Sequence, residues 1–394
     1  NGGAIYIEAK NAVVSGSNFN MNNASNKGGA IYIYGKYASV INSTFNRTYA
    51  ISGSNYIKDV NHGGAIFIQG DNAVVSGSEF ENYGSYKGGA IYLQGDMCNV
   101  TNSSFDKGYS DSDGGAIFAT GSNSNVYYSN FTNNRAYFNG GALYWFGSTK
   151  NSVVGCTFIN NTANGYGDQG TKGGGAVYWS EKGSYGVIKD SKFINNTVIA
   201  TKDKADGGAV LWDTSKHCLL DNCTFDSNYV TSTKDTWTQG GAVYMRSNNV
   251  TISRCTFENC WSQKDAGALY IANDKSTGVF LSPIDVHVFN CTFINNSAKG
   301  EYNSADYDCG GGAVLVKQVG NIYFTDVRFI NNTADKGGAV SMIRPSKNDN
   351  NYFRNCTFIG NNATENGGSI WSGSYTGANP ITLRLYNVTI SDSK

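Results

Sequence analysis

Apolar residues in this 394-residue chain fall in short alternating bursts that return in the same phase along its whole length. The plainest burst is Gly-Gly-Ala-(Ile/Val/Leu)-(Tyr/Phe). Its second glycine is Gly3, Gly29, Gly64, Gly89, Gly115, Gly141, Gly175, Gly208, Gly241, Gly267, Gly312, Gly338 and Gly368, with Ala in place of the first glycine before Gly267. These thirteen anchors lie 25 to 45 residues apart, a basal period near 26 lengthened by insertions. A second burst centres on Phe19, Phe45, Phe80, Phe105, Phe131, Phe158, Phe193, Phe225, Phe257, Phe293, Phe329 and Phe358, with Ile390 in the last unit. Five residues before each stands Val, Ile, Leu or Phe, and two residues before stands Ser, Cys or Val. Period-two alternation of this kind predicts short strands.

The bursts are separated by residues that tolerate left-handed backbone, such as Gly16, Asn42, Gly77 and Asn102, and by Asn pairs such as Asn160-Asn161. Each unit then has three short strands and three corners. A unit of this size cannot bury its own apolar side, whereas coiling and stacking on the next unit buries every row and pairs the backbone. The fold class predicted is therefore all-β, a single-stranded parallel β-helix of about thirteen coils over residues 1–394. Right-handedness is expected from the general chirality of parallel connections. At the usual inter-strand spacing the rod is about 60 Å long. A β-sandwich would need thirteen in-phase copies by coincidence.

Within the Gly-Gly-Ala strand the branched row Ile5, Ile31, Ile66 and its successors is predicted to face inward. The opposite parity places Tyr6, Tyr32, Phe67, Tyr92, Phe118, Tyr144, Tyr178, Tyr244 and Tyr270 outside, an aromatic ladder suited to sugar rings or a partner protein. The alternative parity makes that ladder interior stacking. Insertions are expected at 46–62, 159–173, 194–206, 226–239, 272–287 and 294–310. The second, third and fourth should stack into a ledge on which Trp237 is a further candidate contact.

Composition agrees with an all-β repeat: 49 Gly, 26 Tyr and 20 Phe against 3 Pro. Thirty basic residues balance thirty acidic ones without a long run of either sign, which argues against nucleic acid as a partner. No apolar stretch is long enough to insert into a membrane as a helix. No zinc, nucleophile-elbow or phosphate-loop motif occurs, so no cofactor, metal or catalytic residue is assigned. The best acidic cluster, Asp203, Asp206 and Asp235 among lysines, is read as solvated, and His62, His217 and His287 as far apart in the repeat. Cys223, Cys255 and Cys291 share one inward row, where buried thiols and a disulfide both fit. Sixteen Asn-x-Ser/Thr sequons occur, and Asn42, Asn102, Asn222, Asn290, Asn331 and Asn355 are candidate glycosylation sites on turns.

Blocks such as Lys27-Gly28-Gly29-Ala30-Ile31-Tyr32 and Asn290-Cys291-Thr292-Phe293-Ile294-Asn295-Asn296 resemble the right-handed β-helix repeats of archaeal, methanogen adhesin-like surface proteins. They are also similar to the repeats of chlamydial polymorphic outer-membrane proteins. The resemblance implies a fragment of a larger, secreted cell-wall protein that is extracellular and at the cell surface. It would attach without catalysis to a glycan or surface protein of a host or neighbouring cell. Two other readings stand beside it: a polysaccharide lyase or glycoside hydrolase, and a structural filament subunit associating head to tail.

Overall fold

The computed structural model describes residues 1–52, 60–165, 172–180, 183–201, 204–233, 237–272, 285–300, 310–317, 320–343, 350–373 and 382–394. One coil shows how the others form. Its strands are Ile31–Ile33, Ser39–Ile41, Thr44–Asn46 and the two-residue Tyr49–Ala50. Between them stand Tyr37, Asn42 and Arg47 with φ of 61°, 48° and 53°, each turning the chain where a left-handed residue is needed. The Gly-Gly pair divides its work. Gly28 has φ of 63°, while a Cβ on Gly29 would run into the Gly64 carbonyl oxygen of the next coil.

Successive coils pair in parallel and in register: Ile31 with Ile66, Val40 with Val75, Phe45 with Phe80. One sheet holds both the Gly-Gly-Ala strands and the strands after them, a second has 13 strands through the Phe row, and a third has 12. The last is a fourth strand per coil beyond the three expected. It forms because the residue after the second turn pairs with its counterpart in the neighbouring coil, as Ala24 does with Ala50.

The core is built from three stacked rows. The branched, valine and phenylalanine rows are buried from the second coil to the penultimate one. Phe45 and Phe80 stack at 4.7 Å, Phe193 and Phe225 likewise, and full burial of each such side chain stabilises by about 1.5–3 kcal/mol. Trp145, Trp179 and Trp212 sit buried in the same interior.

Two polar ladders close the corners. Ser43 donates its backbone N–H to Ser78 Oγ and Ser78 donates to Ser103 Oγ, both at 3.2 Å. Cys255 in the same row donates to Cys291 Sγ at 3.4 Å, so thiols substitute for hydroxyls. All eight described cysteines are buried, and Cys98, Cys156, Cys223, Cys255, Cys260, Cys291 and Cys356 are free thiols. At the second turn Asn134, Asn161, Asn196 and Asn228 form an amide ladder: Asn161 Nδ2 donates to Asn196 Oδ1 at 2.9 Å and to the Phe131 carbonyl at 2.9 Å.

The insertions do stack. Lys172–Gly173, Ala205–Asp206 and Thr238–Gln239 form a small parallel sheet beside the main rod. In two coils the first and second strands run together, as Val210–Asp221 and Val243–Ser253.

Candidate functional site

The aromatic ladder is not an open surface. Its parity is as expected, on the side of the strand away from the main core, but a second layer covers it. Tyr6 in the first coil is 48 % exposed, while Tyr32, Phe67, Phe118, Tyr144, Tyr178, Tyr244 and Tyr270 are 7 % or less and Tyr92 is half-buried. The cover comes from the corner that precedes each Gly-Gly pair. Lys27 Nζ lies 4.5 Å above the Phe67 ring, Lys87 Nζ 5.3 Å above Phe118, and the His62 ring stacks on Tyr92 at 4.7 Å. Tyr178 donates its hydroxyl to Asp213 Oδ2, which is itself ion-paired with the buried Arg246. Burial pushes the Tyr178 phenol well above its ordinary value, and Asp213 adds to the shift. The ladder is a second core, and the expectation that it presents a ligand surface is corrected.

Of the acidic cluster, Asp206 is buried in the small sheet, and Asp203 and Asp235 lie outside the described residues. Trp237 is half-buried with Lys317 Nζ 5.8 Å from its ring. The six candidate glycosylation residues are all exposed, with φ between 48° and 53°, which confirms their place on turns.

The described surface is hollowed instead on the outer side of the second strand, in the coils of the fused strands. A groove of about 490 Å³ is lined by His217, Cys218, Leu219, Asn249, Val250, Thr251, Asp285 and His287. Its shape follows from strand register. His217, Asn249 and Asp285 occupy successive coils in one outward row, and Leu219, Thr251 and His287 occupy the next, since Cys218 pairs with Val250 and Val250 with Val286. Asn249 and Thr251 are the short side chains of the floor. The walls are ring pairs: Tyr185 stacks on His217 at 4.8 Å, and His287 packs against Tyr323 at 4.7 Å. Two inter-strand steps, about 10 Å, separate the walls.

The lining carries two imidazoles and a carboxylate. Both imidazoles are exposed. Asp285 lies two residues from His287 on the same side of its strand, and its Oδ1 accepts from Asn321 Nδ2 at 2.8 Å. Burial first, then the charge of Asp285 and the neighbouring Tyr352, raises the Tyr323 phenol, so it keeps its proton at neutral pH and can donate it. Lys216, exposed, precedes His217 in the chain and lies outside the groove lining. Among the described residues no group of three His, Cys, Asp or Glu side chains is arranged to hold a metal ion.

The expectation that the histidines lie far apart in the repeat is thus wrong for two of them. The insertion at 272–287 obscures their phase when it is counted forward from Gly267. Counted back from the Phe anchors, His217 is eight residues before Phe225 and His287 six before Phe293, which places them in adjacent outward rows.

The signature of the right-handed beta helix region matches residues 46–225 and 175–390, in accord with the expected fold and hand. No curated protein matches the sequence significantly. Similar solved structures include a PL6 alginate lyase in complex with a trisaccharide, with 10% identity, a TM-score of 0.40, and coverage of 99% of this chain and 91% of that one. A second is an alginate lyase complex, at 8%, 0.37, 84% and 80%. A third is a mannuronic acid specific family 6 polysaccharide lyase from human gut microbiota, at 11%, 0.39, 93% and 78%. Likeness at this level speaks for the fold alone. The neighbours being lyases, the expectation that the chain is not an enzyme does not stand, and catalysis by this chain is a matter for proposal.

Proposed function

As a member of the right-handed beta helix family, this chain, we propose, acts on an extended acidic polysaccharide at the groove between His217 and His287, as a polysaccharide lyase does. The observation that carries the reading is the pairing of an exposed imidazole, His287, with a protonated phenol, Tyr323, on one wall of an open groove. In an elimination, His287 takes the proton from the sugar carbon next to the carboxylate. The electrons of that C–H bond form a carbon–carbon double bond, the bond to the glycosidic oxygen breaks, and Tyr323 protonates the departing oxygen. His217 is the group of the far wall that can meet the uronate carboxylate. Hydrolysis is less well served, since it ordinarily needs two carboxylates and the described lining supplies one, Asp285. Extracellular placement belongs to the same proposal and is supported by the exposed sequon asparagines.

The test is incubation of the protein with alginate, polygalacturonate and a neutral glucan, reading unsaturated chain ends by ultraviolet absorbance. Release of such ends from an acidic polymer, lost in His287→Ala and Tyr323→Phe, is expected. Binding without new chain ends in the wild type would overturn elimination and favour an attachment role for the groove.

A further inference from the structure

Beyond the groove, two polar and aromatic rails continue along the rod toward its C-terminal coils. The first is a chain of hydrogen bonds: Arg384 Nη1 donates to Asn350 Oδ1 at 2.7 Å, the Asn350 backbone N–H to Asn321 Oδ1 at 2.8 Å, and Asn321 Nδ2 to Asp285 Oδ1 at 2.8 Å. The second is a row of rings in register, His287, Tyr323 and Tyr352, with centroids 4.7 and 4.8 Å apart. Arg384 pairs with Tyr352 in the next coil and so ends both rails. Arg354 lies over Tyr352 at 5.1 Å and over Tyr386 at 5.6 Å, bounding the track on one side. In the N-terminal coils the ring row is occupied by Ser39, Val74, Asn99, Asn125 and Ser152, so the rings begin only at the groove.

We infer that this double rail is an extended binding track on which the polysaccharide runs parallel to the rod axis, from the groove toward Arg384. Pyranose rings present an apolar C–H face that packs on aromatic rings, and an edge of hydroxyls or carboxylates that meets amides and guanidinium groups. The rails offer a ring and a polar group in each of three successive coils and end on the Arg384 guanidinium in the fourth, which suits an extended polymer and exceeds what a monosaccharide can contact. The inference rests on the polysaccharide reading of the groove and adds the direction and extent of the bound chain.

The experiment is calorimetric binding of alginate and polygalacturonate oligomers of graded length to the full chain, alongside the turnover assay. Wild type should gain affinity with each added residue up to the length of the track. Tyr352→Ala and Arg384→Ala should each lose about fivefold for long oligomers, with Tyr352→Phe close to wild type. Thermal unfolding identifies any variant that is misfolded. If long and short oligomers bind the variants with the same increment as wild type, the track is wrong, even if chain ends are released. If no polymer is cleaved but the increment disappears in Tyr352→Ala, the track stands and the elimination chemistry falls.

Discussion

The ring of Tyr83 occupies the space over Gly108 that a side chain on Gly108 would fill. Both residues stand where later coils carry the ladder asparagines, and a Cβ on Gly108 would overlap Tyr83 Cε2. By lying across the glycine, Tyr83 reaches over an entire coil and donates its hydroxyl to Asn134 Oδ1, capping the amide ladder at its first member. The Gly108 backbone N–H donates to the same oxygen at 3.0 Å.

Gly108→Ala is accordingly expected to destabilise the protein by about 1–3 kcal/mol, the usual cost of overpacking a core. Tyr83→Phe should cost about 1 kcal/mol through the lost hydrogen bond. If the clash is the cause, Gly108→Ala placed in a Tyr83→Ala background should cost much less than it does alone. Urea unfolding of the four proteins checks the cycle.

The amide ladder has one gap. Cys260 holds the position between Asn228 and Asn296. Its backbone N–H donates to Asn296 Oδ1 at 3.0 Å, but Asn228 Nδ2 is 4.0 Å from its sulfur. Cys260→Asn would restore both links and is expected to stabilise by about 1 kcal/mol. Asn196→Ala, by contrast, strands the two buried Asn161 donors and takes the amide donor from the Phe158 carbonyl, and should cost at least about 2 kcal/mol. A Cys260→Asn protein that melts below wild type would refute this account of the ladder.

Thiol reactivity should be nearly absent in the folded protein. Burial pushes Cys156 and Cys260 up to about 12, and Cys98 to about 11, leaving almost no thiolate at neutral pH. Iodoacetamide is expected to spare Cys98, Cys156, Cys223, Cys255, Cys260, Cys291 and Cys356 in the native state and to label them after unfolding. Peptide mass mapping reads the outcome, and rapid native labelling of Cys255 or Cys291 would contradict it.

Acid should weaken the outer face of the second strand. The Arg254 guanidinium, joined by the Ser253 hydroxyl and the charges of Arg254 and Lys189, holds the Asp221 carboxyl below its ordinary 3.8 against the opposing effect of burial. Because the folded value is the lower one, the stabilisation is fully present above about pH 4 and is lost as pH falls through the folded value. Asp221→Asn should therefore be less stable than wild type at neutral pH, and the two should converge in strong acid. A stability difference that is constant down to pH 2 would show that the ion pair contributes nothing.

The coil itself is legible in the sequence because every coil repeats the same demands. Gly29 must clear a neighbouring carbonyl, Val40 and Phe45 must stack, and Asn42 must turn left-handed, so each leaves a periodic mark. The cover over the aromatic row is less legible, since Lys27, His62 and Lys87 stand in phase before their Gly-Gly pairs but the residue type changes from coil to coil and no one side chain marks the position. The groove is hidden for a related reason. His217 and His287 belong to different rows and coils, and they become neighbours only once an insertion is removed from the count. Proton-transfer groups need proximity in space and no fixed spacing in sequence.

The gap at Cys260 also bears on how the rod responds to force. The strand hydrogen bonds run from coil to coil, so tension along the axis loads them all in series, and each coil is held only by its two neighbours. A chain of nearly identical links parts at the one with fewest cross-ties. Between the coils of Asn228 and Cys260 an amide-to-amide tie is replaced by a long contact to sulfur. The same two coils, however, share the longest strand pairing of the described residues, between Val210–Asp221 and Val243–Ser253, so the lost tie is offset there and stretching should not part the rod first at this seam.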